Sequence, residues 1–169
     1  MLTVFSGLPG TGKTTLAKAL AQKTNALYLR IDAIEQALRS GDAKVGTSGY
    51  RVANAVALGN LQLGNRVVVD CVNPVEESRQ AWRDVAAVAG VLMLDVQVVC
   101  SDHAEHQRRV ETRTLDIPGL VPPSWQSVLA HEYEAWNPQP FTIDTAQVSA
   151  DNALAMILKS PCGNGLHSM

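Results

Sequence analysis

Apolar residues along the chain fall into short runs separated by amphipathic stretches, and the two kinds alternate from one end to the other. Leu2-Thr3-Val4-Phe5 is a β-prone run that leads straight into a glycine-rich turn. From Lys13 the period changes: Leu16, Ala17, Leu20 and Ala21 recur at the spacing of one helix face. Residues 26–31 predict a second strand ending at Asp32, with a short helix over 33–38. Residues 40–50 hold three glycines and predict a loop, and 51–63 a helix with Val52, Ala55, Val56 and Leu63 on one side. Val67-Val68-Val69 predicts a third strand closing on Asp70, followed by a helix over 75–89. Residues 92–100 are so nearly continuous in apolar character that they read as a strand buried on both faces. A charged helix is expected over 102–113 and a loop with three prolines over 118–123. Ser124 then caps a helix running to about Trp136. Phe141-Thr142-Ile143 predicts a last strand ending at Asp144, and 150–159 a closing helix. Residues 160–169, small and polar, read as a disordered tail.

Strands alternating with helices predict the α/β class, here a three-layer α/β/α sandwich around a five-stranded parallel sheet. No repeat or internal linker interrupts it, so residues 1–159 are expected to form one domain, with residues 102–136 as a helical lid. In such sheets the ligand site lies beyond the carboxyl ends of the strands. Asp32, Asp70 and Asp144 each stand just past a strand, beside the glycine-rich turn.

Composition narrows the partners. Of 169 residues, 46% are hydrophobic and 18% charged, enough apolar material for a core and no disorder signature. Fourteen Lys and Arg against 16 Asp and Glu give a net charge of −2, which argues against a strongly basic nucleic-acid or membrane surface but leaves room for a local groove. Aromatics, at 5%, are too few for a protein built around stacking platforms. No apolar run reaches the roughly 18–20 residues of a membrane span, and residues 2–5 are too short for a signal-peptide core. Cys71, Cys100 and Cys162 are widely spaced, with no C-x-x-C pair, and predict neither a disulfide framework nor a zinc site. A soluble, cytoplasmic protein is expected.

The candidate chemistry begins at Gly7-Leu8-Pro9-Gly10-Thr11-Gly12-Lys13-Thr14, which matches G-x-x-x-x-G-K-[ST] at every fixed position and lies between a strand and a helix. Glycines let successive backbone N–H groups turn inward around phosphate oxygens, and the helix N-terminus adds partial positive charge. Lys13 is placed to reach the β- and γ-phosphates, and the Thr14 hydroxyl to ligate Mg²⁺, with Thr15 completing the loop contacts. A dinucleotide fingerprint is the rival, since Gly10-x-Gly12 begins one and Asp32 is placed like its ribose-binding acid. That pattern needs glycine where Thr15 stands and leaves Lys13-Thr14 unexplained. The expected ligand is therefore a nucleoside triphosphate, ATP with Mg²⁺.

With these residues the chain resembles the P-loop kinases that include chloramphenicol phosphotransferases, zeta toxins and the kinase domain of polynucleotide kinases, an AAA-like, ATP-binding group. The resemblance spans about residues 1–159 and rests on four further places. Arg30-Ile31-Asp32-Ala33-Ile34-Glu35 resembles the group's second-strand end, which implies that Asp32 accepts the proton of an acceptor hydroxyl. Val69-Asp70-Cys71-Val72-Asn73 is similar to a Walker-B-type strand end, implying that Asp70 orients Mg²⁺ directly or through water, and Arg79 matches an arginine of the next helix. Arg109-Val110-Glu111-Thr112-Arg113 resembles the R-x-x-x-R lid, implying that Arg109 and Arg113 neutralise charge on the transferring phosphoryl group. Phe141-Thr142-Ile143-Asp144-Thr145 resembles the last strand before the closing helix. The strand order implied is that of nucleotide kinases.

Each residue also has a structural alternative. Asp32 would cap the helix after it, and Asp70 would be a turn residue. Glu105 precedes Arg109 by four residues and would make a plain surface ion pair, and Arg108 is a weaker lid candidate. His103, His106 and His131 show no ligand partners and read as solvated. Cys71 is expected to point into the core, and Trp125, Tyr133 and Trp136 to pack the lid helices. Asn73, Arg79, Arg51 and Tyr50 are weaker candidates for the wall of an acceptor pocket. The leading expectation is Mg-ATP-dependent phosphoryl transfer to the hydroxyl of a small molecule. The alternatives are a polynucleotide 5′-hydroxyl kinase and a nucleotide-dependent switch acting on a partner protein. A nucleoside monophosphate kinase fits less well, because Asp70-Cys71-Val72-Asn73-Pro74 stands where that family has a D-G-F-P-R-type segment.

Overall fold

The computed structural model describes residues 1–41 and 45–160. Five strands, β1 (Leu2–Ser6), β2 (Leu27–Arg30), β3 (Val67–Asp70), β4 (Met93–Val99) and β5 (Phe141–Asp144), form one sheet in the order β2-β3-β1-β4-β5. Every pairing is parallel, with Leu2 opposite both Val67 and Met93. Among the described residues seven helices connect or flank them: α1 (Lys13–Thr24), α2 (Ile31–Ser40), α3 (Ser48–Gln62), α4 (Glu76–Ala89), α5 (His103–Thr112), α6 (Trp125–Leu129) and α7 (Ala150–Lys159).

The alternation of side chains along each strand divides the interior in two. Leu2, Val4, Val67 and Val69 point to one face, where Ala53, Ala57 and Leu61 of α3 and Trp82, Val85 and Ala86 of α4 cover them. Phe5, Val68, Val96 and Ile143 point to the other, beneath Leu16 and Leu20 of α1 and Ala153 and Ile157 of α7. The result is the expected three-layer α/β/α sandwich. Covered on both sides, β1 and β3 are buried at every residue.

Four local expectations are corrected. The strand expected over 92–100 spans Met93–Val99 and alternates: Leu94, Val96 and Val98 are buried, while Met93, Asp95, Gln97 and Val99 are half-buried. Its second face is thus incompletely covered. Asp32 is not a helix cap. α2 begins at Ile31, directly on the end of β2, so Asp32 lies inside the first helical turn. α3 begins within the expected loop, at Ser48, because the Tyr50 hydroxyl accepts a hydrogen bond from Asn73 N at 2.9 Å and ties that turn to the end of β3. The helix expected to reach Trp136 stops at Leu129. Beyond it, Glu134 N donates to Pro74 O at 2.9 Å and Glu134 Oε2 accepts from Glu76 N at 2.5 Å. These tertiary bonds replace the helical ladder. The tail over 161–169 lies outside the described residues.

No helix of the described residues is long and apolar enough to cross a membrane.

Candidate active site

β1 ends at Ser6, and the chain must turn sharply to start α1 at Lys13. Gly7 and Gly10 make this turn at φ 146° and 85°, conformations that side chains rarely adopt. A Cβ would stand 2.3 Å from Val98 O at Gly7 and 2.5 Å from the Val110 side chain at Gly10. Thr11 Oγ1 donates to Leu8 O at 2.9 Å, and the buried Lys13 sends its Nζ across the loop to the same oxygen at 3.3 Å. No side chain caps the start of α1, where Gly12 is the N-cap. The helix N-terminus is therefore open to an anion, beside an ammonium group. Thr14 is half-buried and Thr15 exposed at the same end.

Lys13, Thr14 and Thr15 open onto a cleft of about 500 Å³ that Asp32, Arg109, Arg113, Lys18, Arg30 and Asp116 also line. Gly10 and Gly12 border this cleft, whereas Gly7, Leu8 and Thr11 face a separate pocket of about 240 Å³ beside His106 and Tyr133. Pro9 lies on that side too, its carbonyl 2.8 Å from His106 Nε2. Asp32 Oδ2 is 3.7 Å from Arg30 Nη2, and Asp32 is 38% exposed. Asp70 is buried behind this wall, its Oδ2 accepting from the Tyr28 hydroxyl at 2.8 Å, with Arg30 Nε at 3.7 Å. Burial and the Asp70 charge push the Tyr28 hydroxyl well above its ordinary range. Asp116 accepts from Lys18 Nζ at 2.5 Å and Arg30 Nη1 at 2.6 Å, and these bonds hold its carboxyl far below the usual value.

Arg109 lies on α5, and Arg113 just past its end. Arg109 Nε donates to Glu105 Oε1 at 2.7 Å, the i,i+4 pair expected from the spacing, while Arg108 binds both oxygens of the same carboxylate. The hydrogen bonds from Arg108 and Arg109 hold the Glu105 carboxyl at about 2. Arg109 goes further than a surface pair. Its Nη1 donates to Thr145 Oγ1 at 2.8 Å, and Thr145 Oγ1 donates in turn to Thr11 O at 2.8 Å. The segment after β5 thus ties the arginine to the glycine-rich loop. Asp144, the last residue of β5, holds the turn that follows: its Oδ1 accepts from Ser101 N and Ala146 N, both at 3.0 Å.

A hydroxyl and a carboxylate are oxygen donors of the kind Mg²⁺ takes, one or two from the protein, with phosphate and water completing its shell. Among the described residues no group of three His, Cys, Asp or Glu could hold a metal without such partners. Thr14 offers its hydroxyl at the cleft, and Asp70 a carboxylate buried behind the cleft wall.

Residues 2–120 match the family model described as AAA domain. The chain belongs to the AAA domain family. No curated protein matches its sequence. Among solved structures this AAA domain is similar to a sugar kinase from Janibacter sp. HTCC2649, at 18% identity over 99% of this chain and 98% of that one, with a TM-score of 0.71. It is also similar to the Mycobacterium tuberculosis APS kinase in complex with AMPPNP and APS, at 20% identity over 93% and 94%, with a TM-score of 0.67. A gluconokinase from Sinorhizobium meliloti 1021 shares 19% identity over 97% and 90%, with a TM-score of 0.61. These likenesses show the fold.

Not every anticipated residue reaches the cleft of the AAA domain. Arg79 is fully buried, and its guanidinium donates to the carbonyls of Asn73, Pro74, Glu134 and Ala135. Its Cζ stacks 4.0 Å from the Trp136 ring centroid and 5.2 Å from that of Tyr133. Arg79 holds the 130–140 segment against α4 and does not line the cleft. Asn73 is equally buried, at φ 52°, and its Nδ2 donates to Ser6 Oγ at 3.0 Å beneath the glycine-rich loop. Arg51 is exposed on α3, away from the cleft lining. His106 is not solvated but buried, packed edge-on against Trp125. Cys71 is buried, as expected.

Lys18, Tyr28, Arg30 and Asp116 were not anticipated. Arg30 had a signal, as the last residue of a strand that reaches the sheet's carboxyl edge. Asp116 had none, since only the path of the irregular segment after α5 brings it to the cleft.

Proposed function

We propose that the chain is a Mg-ATP-dependent kinase that transfers a phosphoryl group to the hydroxyl of a small-molecule acceptor. The observation that carries this reading is a single cleft bounded on one side by Lys13 and the open start of α1, and on the other by the carboxylate of Asp32. The fold shared with a sugar kinase, a gluconokinase and an APS kinase supports a small acceptor. So does the narrower resemblance to chloramphenicol phosphotransferases and zeta toxins.

When bound, Mg-ATP supplies the γ-phosphoryl group, with the metal drawing charge from the phosphate oxygens. The chain's residues position and neutralise. Amides of Gly10, Gly12 and Lys13, which border the cleft, and the Lys13 ammonium bind the phosphates, while Thr14 and Asp70 would hold the metal. Arg109 and Arg113 stand on the lid side, where guanidiniums offset negative charge that builds during transfer. Asp32 accepts the acceptor's hydroxyl proton on a carboxylate oxygen, with the Arg30 guanidinium 3.7 Å away favouring its charged form.

The test is ³¹P NMR of the protein with Mg-ATP and pooled alcohols, sugars, nucleosides and antibiotics, run beside Asp32→Asn. A new phosphoester signal that falls at least about 100-fold in the variant, with Mg-AMPPNP affinity within about threefold, is the expected result. Inorganic phosphate released equally by both proteins, with no phosphoester, overturns the reading.

A further inference from the structure

Lys18 and Arg30 belong to different elements, α1 and β2, yet both cations converge on one carboxylate. Lys18 Nζ takes Asp116 Oδ2 at 2.5 Å and Arg30 Nη1 takes Oδ1 at 2.6 Å, so each oxygen has its own cation. The partner they share is not part of the rigid frame. Asp116 lies in neither a helix nor a strand and is half exposed, whereas the Arg30 side chain is only 9% exposed.

The other carboxylates near Arg30 do not replace Asp116. Asp32 and Asp70 are each 3.7 Å away, beyond hydrogen-bonding reach, and Arg30 Nε is buried with no hydrogen-bond partner. A buried guanidinium is costly without good partners, and the one that holds it is half in solvent. The bridge is also a partition. Lys18, Arg30 and Asp116 line the 500 Å³ cleft on one side and a pocket of about 340 Å³, walled by Tyr28, Ala33 and Ile34, on the other. Asp32 stands on the cleft side of this bridge.

We propose that Lys18 and Arg30 are the recognition subsite for a carboxylate on the acceptor, and that Asp116 is the internal surrogate this carboxylate replaces. The acceptor is then a hydroxy acid, its hydroxyl at Asp32 and its carboxylate on the Lys18–Arg30 pair. This rests on the kinase reading for the role of Asp32, but the subsite can be tested without turnover. A neutral polyol has nothing to exchange for Asp116, so specificity follows from displacement. Only an anion restores what Lys18 and Arg30 lose.

The experiment is isothermal titration calorimetry of the full chain, in its wild-type, Asp116→Asn and Lys18→Gln forms. The titrants are two matched pairs, gluconate with glucose and glycerate with glycerol, and inorganic phosphate. Removing the internal competitor raises the fraction of competent sites, so Asp116→Asn is expected to tighten at least one hydroxy acid about fivefold or more. Its neutral partner should stay unchanged, and Lys18→Gln should weaken the acid. Lys18 is half exposed, so that variant is expected to fold. Unchanged or weaker binding of both acids in Asp116→Asn, or no binding of either acid to any form, overturns the proposal. A gain confined to inorganic phosphate overturns the carboxylate assignment. A parallel ³¹P assay separates the two readings. Transfer to neutral polyols without preference for the acids refutes the subsite and leaves the kinase standing. Calorimetric tightening with no transfer to any alcohol does the reverse.

Discussion

His106 Nε2 lies 2.8 Å from the carbonyl oxygen of Pro9. A carbonyl can only accept, so this nitrogen carries the proton and the ring donates into the glycine-rich loop. The ring is buried, with Trp125 edge-on at 5.1 Å, and both His106 and Val110 pack against Gly10. α5, which carries Arg109, is thereby fixed to the loop proposed to hold the phosphates.

Removing that donor should loosen the loop. His106→Ala is expected to weaken Mg-AMPPNP binding about five- to tenfold and to lower stability by about 1–2 kcal/mol, through a lost hydrogen bond and a small cavity. His106→Gln, which keeps an N–H, should recover much of the affinity. Calorimetry and urea unfolding read the two effects, and an unaltered affinity in His106→Ala would show that the contact is packing alone.

The Tyr28 hydroxyl orients Asp70 through a 2.8 Å bond. Such outer hydrogen bonds commonly change metal affinity by about 10-fold or more. Tyr28→Phe is expected to raise the Mg²⁺ concentration for half-maximal activity about tenfold, with the acceptor KM little moved. A Mg²⁺ titration of initial rates decides it. An unchanged midpoint would remove Asp70 from the metal's surroundings.

The layers and the glycine-rich loop were legible because each depends on local pattern. Leu16 and Leu20 mark one helix face, and the fixed positions from Gly7 to Thr14 admit few other structures. What sequence could not show was direction and company. Arg79 reads like any arginine on a charged helix, yet the chain from Glu134 to Trp136 folds over it and converts it into a core residue. His106 looked solvated because its partners, Pro9 and Trp125, are distant in sequence. Asp116 becomes part of the cleft only when the segment after α5 crosses to α1 and β2.

That reassignment of Arg79 is itself testable. Its guanidinium satisfies four carbonyl oxygens at 2.8–3.2 Å, two of them on the 130–140 segment. Arg79→Ala leaves buried acceptors unpaired and a void between Trp136 and α4. A loss of about 3–4 kcal/mol in urea unfolding is expected. Any of the variant that stays folded should bind Mg-AMPPNP normally. A stable variant with a raised acceptor KM would instead return Arg79 to the acceptor pocket.

Asp95 gives the chain a pH dependence remote from the cleft. It lies on β4 with Oδ1 buried and unpartnered, and Arg83 is 4.0 Å away. Burial raises its carboxyl from the usual 3.8 to about 6, against the opposing pull of Arg83 and Arg79. The folded protein therefore holds this proton more tightly than the unfolded chain. The destabilisation is complete above about pH 6 and is relieved as pH falls from about 6 towards 4. A shift of about two units corresponds to roughly 2–3 kcal/mol. Asp95→Asn, which carries no charge at either pH, is expected to be more stable than wild type by about 2 kcal/mol at pH 7.5 and about equal to it at pH 4. Urea unfolding of both proteins at the two pH values makes the comparison, in which every other titrating group cancels. A gain of the same size at both pH values would assign the effect to packing and not to the buried charge.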